Sequence, residues 1–236
     1  MLFFLAFFHH RVAFRIRVGS PNSEHYYVLQ TAADYLAAVQ AIQGQLNEAH
    51  VRGLLQRDIV WASRLARMMN FLSGHRRQHC VIEMVAEGIE ADQFVAFADG
   101  IMLSNSAVDK KLCLNACPDH YLLQGAGPAK MEVIETTGGS PFPMQFFLAL
   151  GDETGLTLPR DSTYPLQTAG AGRLKDGTVV GGIRHQFRNE GKGFRAKFGV
   201  EFPGATPAYF VRQHQLHLAC EWKNWIKMAM ASQQAR

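Results

Sequence analysis

Several short β-strands followed by one long helix make up the second half of the sequence, and this order constrains the fold more than any other feature. Segment 194–202 shows the clearest strand pattern. Phe194, Ala196, Phe198, Val200 and Phe202 share one face, and Arg195, Lys197 and Glu201 share the other. A meander with one apolar face must pack on a helix or close on itself. We therefore predict an α+β fold, a curved antiparallel β-sheet around a long C-terminal helix with a cavity between them.

Turn signals delimit the predicted strands. We predict strands over residues 131–137, 142–150, 164–174, 179–189 and 194–202. Glycine-containing turns separate them at 138–141, 151–152, 175–178 and 191–193. Before this region the pattern predicts a strand over 79–85, a helix from 89 to 98, a break at 104–106 and a turn at 117–121 that leads into extended chain.

Residues 1–78 show a different pattern, and we predict an N-terminal helical segment there, ahead of a second domain over 79–236. Apolar spacings of three and four predict two helices, around 32–42 and 54–69, that separate near 47–52. Alternation from Val12 to Val18 predicts a short strand before them.

The last helix, predicted over residues 207–230, carries polar groups on the face that should be apolar. That face contains Phe210, His214, His217, Glu221, Asn224, Trp225 and Met228. A buried carboxylate is costly unless it is paired, hydrogen-bonded or bound to a metal. His217 and Glu221 lie one helical turn apart, so both side chains can point at one ion.

Strand alternation supplies candidate partners for this pair. His185 shares a face with Ile183 and Phe187, which predicts that it points inward. Glu132 and Glu135 lie on opposite faces of one strand, so one of them must face the interior. With His120, which precedes that strand, the set contains two imidazoles and two carboxylates. Such a set suits Zn²⁺, and also Fe²⁺ or Mn²⁺.

These residues also have ordinary structural explanations. An H-x-x-x-E pair is common in helices that bind no metal, and His185 could be a satisfied core histidine. His214 suits the cavity wall better than a ligand position. Ser140 has no G-x-S-x-G turn around it, which argues against a serine hydrolase.

Composition excludes several classes of protein. The 236 residues suit one domain or slightly more, and the formal net charge of +4 comes from scattered basic residues, which argues against nucleic-acid binding. The apolar run 2–8 is too short to span a bilayer and lacks the features of a secretory signal, so we predict no membrane partner and a cytoplasmic location. The pair Cys113 and Cys117 lacks the second pair of a zinc knuckle, so we expect reduced thiols.

Four segments resemble the diacetylphloroglucinol hydrolase family, which includes the phloretin hydrolases. They are the Pro-Asp-His-Tyr string 118–121, segment 132–140, strand 181–188 and the pattern His217-x-x-x-Glu221-x-x-Asn224. The resemblance covers roughly residues 80–230. It implies a helix-grip (Bet v 1/START-like) fold and a zinc ion held by two histidines and two glutamates. It also implies hydrolysis of the carbon–carbon bond between a phloroglucinol ring and an acyl group.

The resemblance implies zinc ligation by His217 and Glu221, with Glu135 as the strand carboxylate. The family's other histidine lies on the helix before the Pro-x-His segment, and segment 94–106 contains no histidine. Either His120 replaces that residue or the site lacks a fourth ligand.

Our leading prediction is a zinc-dependent hydrolase that acts on a small aromatic acyl ketone. His185 and His214 would transfer protons, and the predicted substrate contacts are Phe210, Asn224 and Trp225, with Trp222 as a further stacking candidate. A non-catalytic binding module for apolar small molecules and an isomerase or cyclase of polyketide metabolism are the alternatives. The sequence leaves a homodimer open.

Overall fold

The computed structural model describes residues 47–234. The predicted strand at 12–18 and the predicted helix at 32–42 lie outside the described residues. The chain divides into the units Met1–His50 and Val51–Arg236, and the sheet described below belongs to the second. The predicted domain boundary after residue 78 stays a prediction. Among the described residues, no helix combines the length and the apolar character needed to cross a membrane.

Four helices and seven strands form the described part of the chain. The helices are α1 (Glu48–Ser73), α2 (Ala91–Met102), α3 (Ala107–Ala116) and α4 (Ala208–Gln234). The strands are β1 (Arg77–Glu87), β2 (His120–Gly125), β3 (Lys130–Glu135), β4 (Met144–Leu150), β5 (Leu166–Arg173), β6 (Val179–Glu190) and β7 (Gly193–Pro203). They form one antiparallel sheet in the order β1-β7-β6-β5-β4-β3-β2. The predicted α+β class is confirmed.

Helix α4 covers the apolar face of this sheet, which confirms the predicted helix-grip arrangement. Trp222 of α4 stacks on Phe198 of β7, with ring centroids 4.2 Å apart and planes 13° apart. Phe94 of α2 packs against both Trp222 and Phe194, so helix and strand side chains form one core. Aromatic contacts of this kind contribute beyond the area that they bury.

The opposite face of the sheet is partly covered by α1. Arg52 binds Glu132 of β3, with 2.6 Å between Nη2 and Oε2. Gln124 and Gln145 also donate to the Glu132 carboxylate. Because alternate residues of a strand face opposite sides, Glu135 points away from α1 and toward α4. This contact decides which of the two glutamates faces the interior.

Helix α3 was not predicted as a separate helix, although the break before it was. Ser106 caps α3, because its Oγ accepts a hydrogen bond from the backbone N–H of Asp109 at 3.1 Å. Only Cys113 and Ala116 of α3 are buried. The short helix therefore carries too few apolar positions for periodicity to reveal it.

Candidate metal centre and cavity

Two paired strands and one helix bring the predicted ligands together. His120 is the first residue of β2 and Glu135 is the last residue of β3, and the antiparallel register places them opposite each other. His217 and Glu221 face them from successive turns of α4. Strand pairing and helical spacing therefore converge on the same point of the interior.

The nitrogen and oxygen atoms of these side chains lie close to one another. Nε2 of His120 is 3.6 Å from Oε2 of Glu135 and 3.6 Å from Oε1 of Glu221. Nε2 of His217 is 3.8 Å from Oε2 of Glu221. Ligand atoms placed about 2.0–2.2 Å from a tetrahedral ion lie about 3.3–3.6 Å apart. The three distances are close to this range, so His120 lies near coordination spacing from both glutamates and His217 from Glu221.

The other nitrogen of each imidazole has its own partner. Nδ1 of His120 lies 3.0 Å from the carbonyl oxygen of Cys113. A carbonyl only accepts, so Nδ1 is the donor and the lone pair on Nε2 points toward the carboxylates. Nδ1 of His217 lies 3.3 Å from Oδ2 of Asp119, while its Nε2 is buried and has no hydrogen-bond partner among the described residues. Metal-binding histidines are typically oriented in this way.

Burial and charge together shape the electrostatics of the cluster. Burial raises the pKa of Glu135, although the nearby imidazoles of His217 and His120 oppose the shift. Burial lowers the pKa of His217, but its hydrogen bond to Asp119 and the charge of Glu135 outweigh that effect and raise the pKa to about 9. The raised pKa keeps His217 protonated at neutral pH beside Asp119, Glu135 and Glu221, so these carboxylates favour positive charge at this position, which a bound cation would also supply.

Cys117 is a further buried member of the cluster. Its sulfur lies 3.6 Å from Nδ1 of His217, and Cys117, His120 and His217 together could hold a metal ion. This sulfur lies with Asp119 on the Nδ1 side of the His217 ring, whereas Glu221 lies on the Nε2 side. The sequence prediction missed Cys117 and Asp119 because their partner His217 is about 100 positions away. The adjacency of Asp119 to His120 was the one local signal.

An apolar cavity of about 140 Å³ lies between the sheet and α4. Its wall is formed mainly by aliphatic, methionine and phenylalanine side chains from α2, α4 and the strands. Its polar lining side chains include Asp99, Glu135, Thr168, His185, His214 and Glu221. Glu135 and Glu221 therefore border both the cavity and the candidate metal centre.

The two predicted proton-transfer residues line this cavity. The His185 ring packs edge-on against Trp222, with centroids 4.7 Å apart, and burial lowers its pKa to about 3. Nδ1 of His214 accepts a hydrogen bond from the backbone N–H of Gly138 at 3.3 Å. Its ring stacks on His217 at 4.9 Å, and burial lowers its pKa well below the usual value. Both imidazoles are therefore neutral at physiological pH.

The three predicted substrate contacts do not reach the cavity. Phe210 is half-buried and packs against Tyr209, and Trp225 is fully buried against Phe97. Asn224 donates a 2.9 Å hydrogen bond to the carbonyl oxygen of Ala116 and ties α4 to the end of α3. The helical wheel placed them on the inner face, but that face is wider than the cavity, which it lines through His214, Leu218, Glu221 and Trp222.

Comparisons with known proteins give structural neighbours only. No family model matches the sequence, and no curated protein matches it. Among solved structures, the chain is similar to Ara h 8.0201, with 10% identity and a TM-score of 0.43 over 66% of this chain and 99% of that chain. A putative uncharacterized protein from Rhizobium leguminosarum has 14% identity and a TM-score of 0.37 over 66% of this chain and 96% of that chain. Protein Ms6760 from Mycobacterium smegmatis has 13% identity and a TM-score of 0.35 over 67% of this chain and 91% of that chain.

These likenesses are remote, and the fold is defined by the sheet order and the helix packing described above. The chain is a helix-grip protein with an apolar cavity. Its interior also carries a buried group, Cys117, His120 and His217, that could hold a metal ion.

Proposed function

We propose that the protein is a metal-dependent hydrolase that cleaves the carbon–carbon bond between an aromatic ring and an acyl group of a small ketone. The observation that carries the proposal is the arrangement of His120, Glu135, His217 and Glu221 at the cavity wall, where Nε2 of His120 lies 3.6 Å from both glutamates and Nε2 of His217 lies 3.8 Å from Glu221. Membership of the diacetylphloroglucinol hydrolase family is part of the same proposal.

Zinc fits this set of donors best, with Fe²⁺ and Mn²⁺ as alternatives. His120 and His217 would bind it through Nε2, and Glu135 and Glu221 through their carboxylates. When bound, zinc supplies Lewis acidity, which polarises a carbonyl group and makes water nucleophilic at neutral pH. Asp119 holds His217 with Nε2 directed toward Glu221.

The cavity residues would position the substrate and handle protons. The apolar wall excludes water and accommodates an aromatic ring, which Trp222 can contact from α4. Because Nδ1 of His214 accepts from Gly138, the proton of the neutral ring resides on Nε2, which is therefore available as a donor. His185 is the second candidate for proton transfer, because Nδ1 of its buried ring has no hydrogen-bond partner among the described residues. Protonation of the ring carbon must accompany its departure.

Metal analysis and an activity assay test the proposal together. The purified protein should hold close to one equivalent of zinc and release the free acid from acylphloroglucinols. His217→Ala and Glu135→Gln should each lower zinc affinity and activity by at least about 100-fold. His75→Ala, at an exposed turn, is the matched control and should change neither. Less than about half an equivalent of zinc, with an unchanged His217→Ala variant, would contradict the proposal.

A non-catalytic binding module for apolar small molecules is the second candidate. The largely apolar wall of the cavity favours it, since such cavities bind ligands without any chemistry. Binding of an acylphloroglucinol without release of acid, in zinc-loaded protein, would support this candidate. Conversion without a change of mass would instead indicate an isomerase or cyclase.

A further inference from the structure

We infer that Cys117 and Cys220 form a reversible oxidation site, in which a disulfide links α4 to the segment that follows α3. This inference goes beyond the proposed hydrolase activity and does not depend on a bound metal.

Three contacts bring the two cysteines together. The side chains of Cys117 and Cys220 lie close enough that each thiol shifts the pKa of the other. Cys117 also contacts Nδ1 of His217, which lies one turn before Cys220 on the same face of α4. The Asn224 amide lies 2.9 Å from the carbonyl oxygen of Ala116 and 3.8 Å from the sulfur of Cys220. The segment that ends α3 and this turn of α4 are therefore held side by side.

The two thiols differ in accessibility in the way that stepwise oxidation requires. All four cysteines of the chain lie within residues 47–234, and only Cys220 among them is exposed. An oxidant can reach Cys220 from solvent, while Cys117 is buried. Cys80 and Cys113 are buried, and the sulfur of Cys80 contacts the carbonyl oxygen of Val211.

Hydrogen peroxide is the chemical class of oxidant that such a pair would use. The Cys220 sulfur attacks one peroxide oxygen, the O–O bond breaks, and Cys220 becomes a sulfenic acid with release of water. The Cys117 sulfur then attacks the Cys220 sulfur, the S–O bond breaks, and a second water leaves. Overall two thiols lose two hydrogens, one peroxide is reduced to two waters, and a dithiol reductant reverses the change.

The disulfide would link the two elements that carry the candidate ligands. Cys117 lies three residues before His120, and Cys220 immediately precedes Glu221. A cross-link that closes a loop of about 100 residues restricts the unfolded chain strongly, so the oxidised protein should be the more stable form.

Mass spectrometry of the peroxide-treated full-length protein tests the inference. The intact mass should fall by that of two hydrogen atoms, and trypsin should yield a cross-link between peptides 112–130 and 213–223. Because peptide 112–130 contains both Cys113 and Cys117, the experiment is repeated with Cys113→Ser, which should still form the cross-link. The oxidised protein should melt about 5 °C or more above the reduced protein.

Cys220→Ser, at an exposed position, should fold normally and abolish the cross-link, and dithiothreitol should remove it from the native protein. A disulfide within peptide 112–130, a cross-link lost in Cys113→Ser, or addition of oxygen alone would overturn the inference. Zinc content is measured on the same samples, so that failure of the metal proposal is recognised separately.

Discussion

At the scale of single residues, His217 contacts different partners of the candidate centre through its two ring nitrogens. Its Nε2 faces the carboxylate of Glu221, and its Nδ1 faces Asp119 and Cys117. An imidazole has two chemically distinct nitrogens, and the partner of one determines what the other can do. Asp119 therefore influences any ion held on the far side of the ring without touching it.

Asp119→Ala should weaken zinc binding without abolishing it. The variant removes the acceptor of Nδ1, so the ring loses its fixed tautomer and orientation. We expect zinc affinity to fall by about 10–100-fold. Competition with a chromophoric chelator measures the affinity. Asp109→Ala, in the first turn of α3, is the control and should leave it unchanged. Equal affinity in the wild type and Asp119→Ala would refute a positioning role.

His185 should remain neutral far below the pH at which an ordinary histidine becomes charged. Burial lowers its pKa to about 3 in the folded protein, whereas the unfolded chain takes up the proton near pH 6.5. Stability is therefore lost as the pH falls from about 6.5 toward 3, by about 1.4 kcal/mol per pH unit from this group.

Urea unfolding of the wild type and His185→Gln between pH 8 and pH 4 isolates this contribution, because other groups titrate in both proteins. The wild type should lose stability more steeply below pH 6.5 than the variant. NMR of the His185 ring provides a direct check, and a midpoint near 6.5 in the folded protein would contradict the burial effect.

At the scale of secondary-structure elements, strand β7 has two functional faces. Its inner face supplies Phe194 and Phe198 to the core, as the alternation predicts. Its outer face carries Glu201, which is only 1% exposed because the chain between β4 and β5 passes over it. The Glu201 carboxylate accepts hydrogen bonds from the backbone N–H groups of Thr157 and Leu158, at 2.8 and 3.0 Å. Glu201 thus anchors the 151–165 connection to the sheet together with Arg184 and Gln186, which bind Leu158 and Asp161.

Glu201→Ala should destabilise the protein by about 3–5 kcal/mol, because it removes a buried charge from its partners and leaves two buried N–H groups without an acceptor. Urea unfolding gives the loss, and limited proteolysis should cut within 151–165 in the variant first. Glu87→Ala, at an exposed position of β1, is the control and should stay within about 0.5 kcal/mol. A loss of less than about 1 kcal/mol in Glu201→Ala, with no change in the site of proteolysis, would contradict this anchoring role.

At the scale of the whole molecule, the ligand-bearing elements come from distant parts of one sheet and one helix. β2 and β3 form one edge of the sheet, and α4 follows the strand β7 near the other edge. An ion shared between these elements would bind the folded chain and not the unfolded one, so it would stabilise the whole domain.

Zinc should therefore raise the melting temperature of metal-free protein. At a free concentration of 100 times the dissociation constant, the expected gain is about 2.7 kcal/mol, or about 5–10 °C. Differential scanning calorimetry with and without a chelator measures it. Glu135→Gln should lose most of the shift, whereas His75→Ala should keep it. An equal shift in Glu135→Gln would indicate that zinc binds elsewhere on the protein.

The sequence alone determined those features that depend on local periodicity. The i, i+4 spacing placed His217 and Glu221 on one face of α4, and strand alternation placed His185 on the cavity side. Alternation likewise predicted the apolar face of β7 and the series of antiparallel strands. The observed sheet confirms the fold class that followed from them. These inferences succeed because the positions of side chains around a helix or along a strand follow from backbone geometry.

Only the tertiary structure decided which residues meet. The contact of Arg52 with Glu132 leaves Glu135 to face the interior, and the β2–β3 register places His120 beside it. The sequence likewise could not show that Asn224 caps α3 or that Glu201 is buried. Such contacts join residues far apart in the chain, and they depend on strand register and helix docking, which local periodicity leaves open.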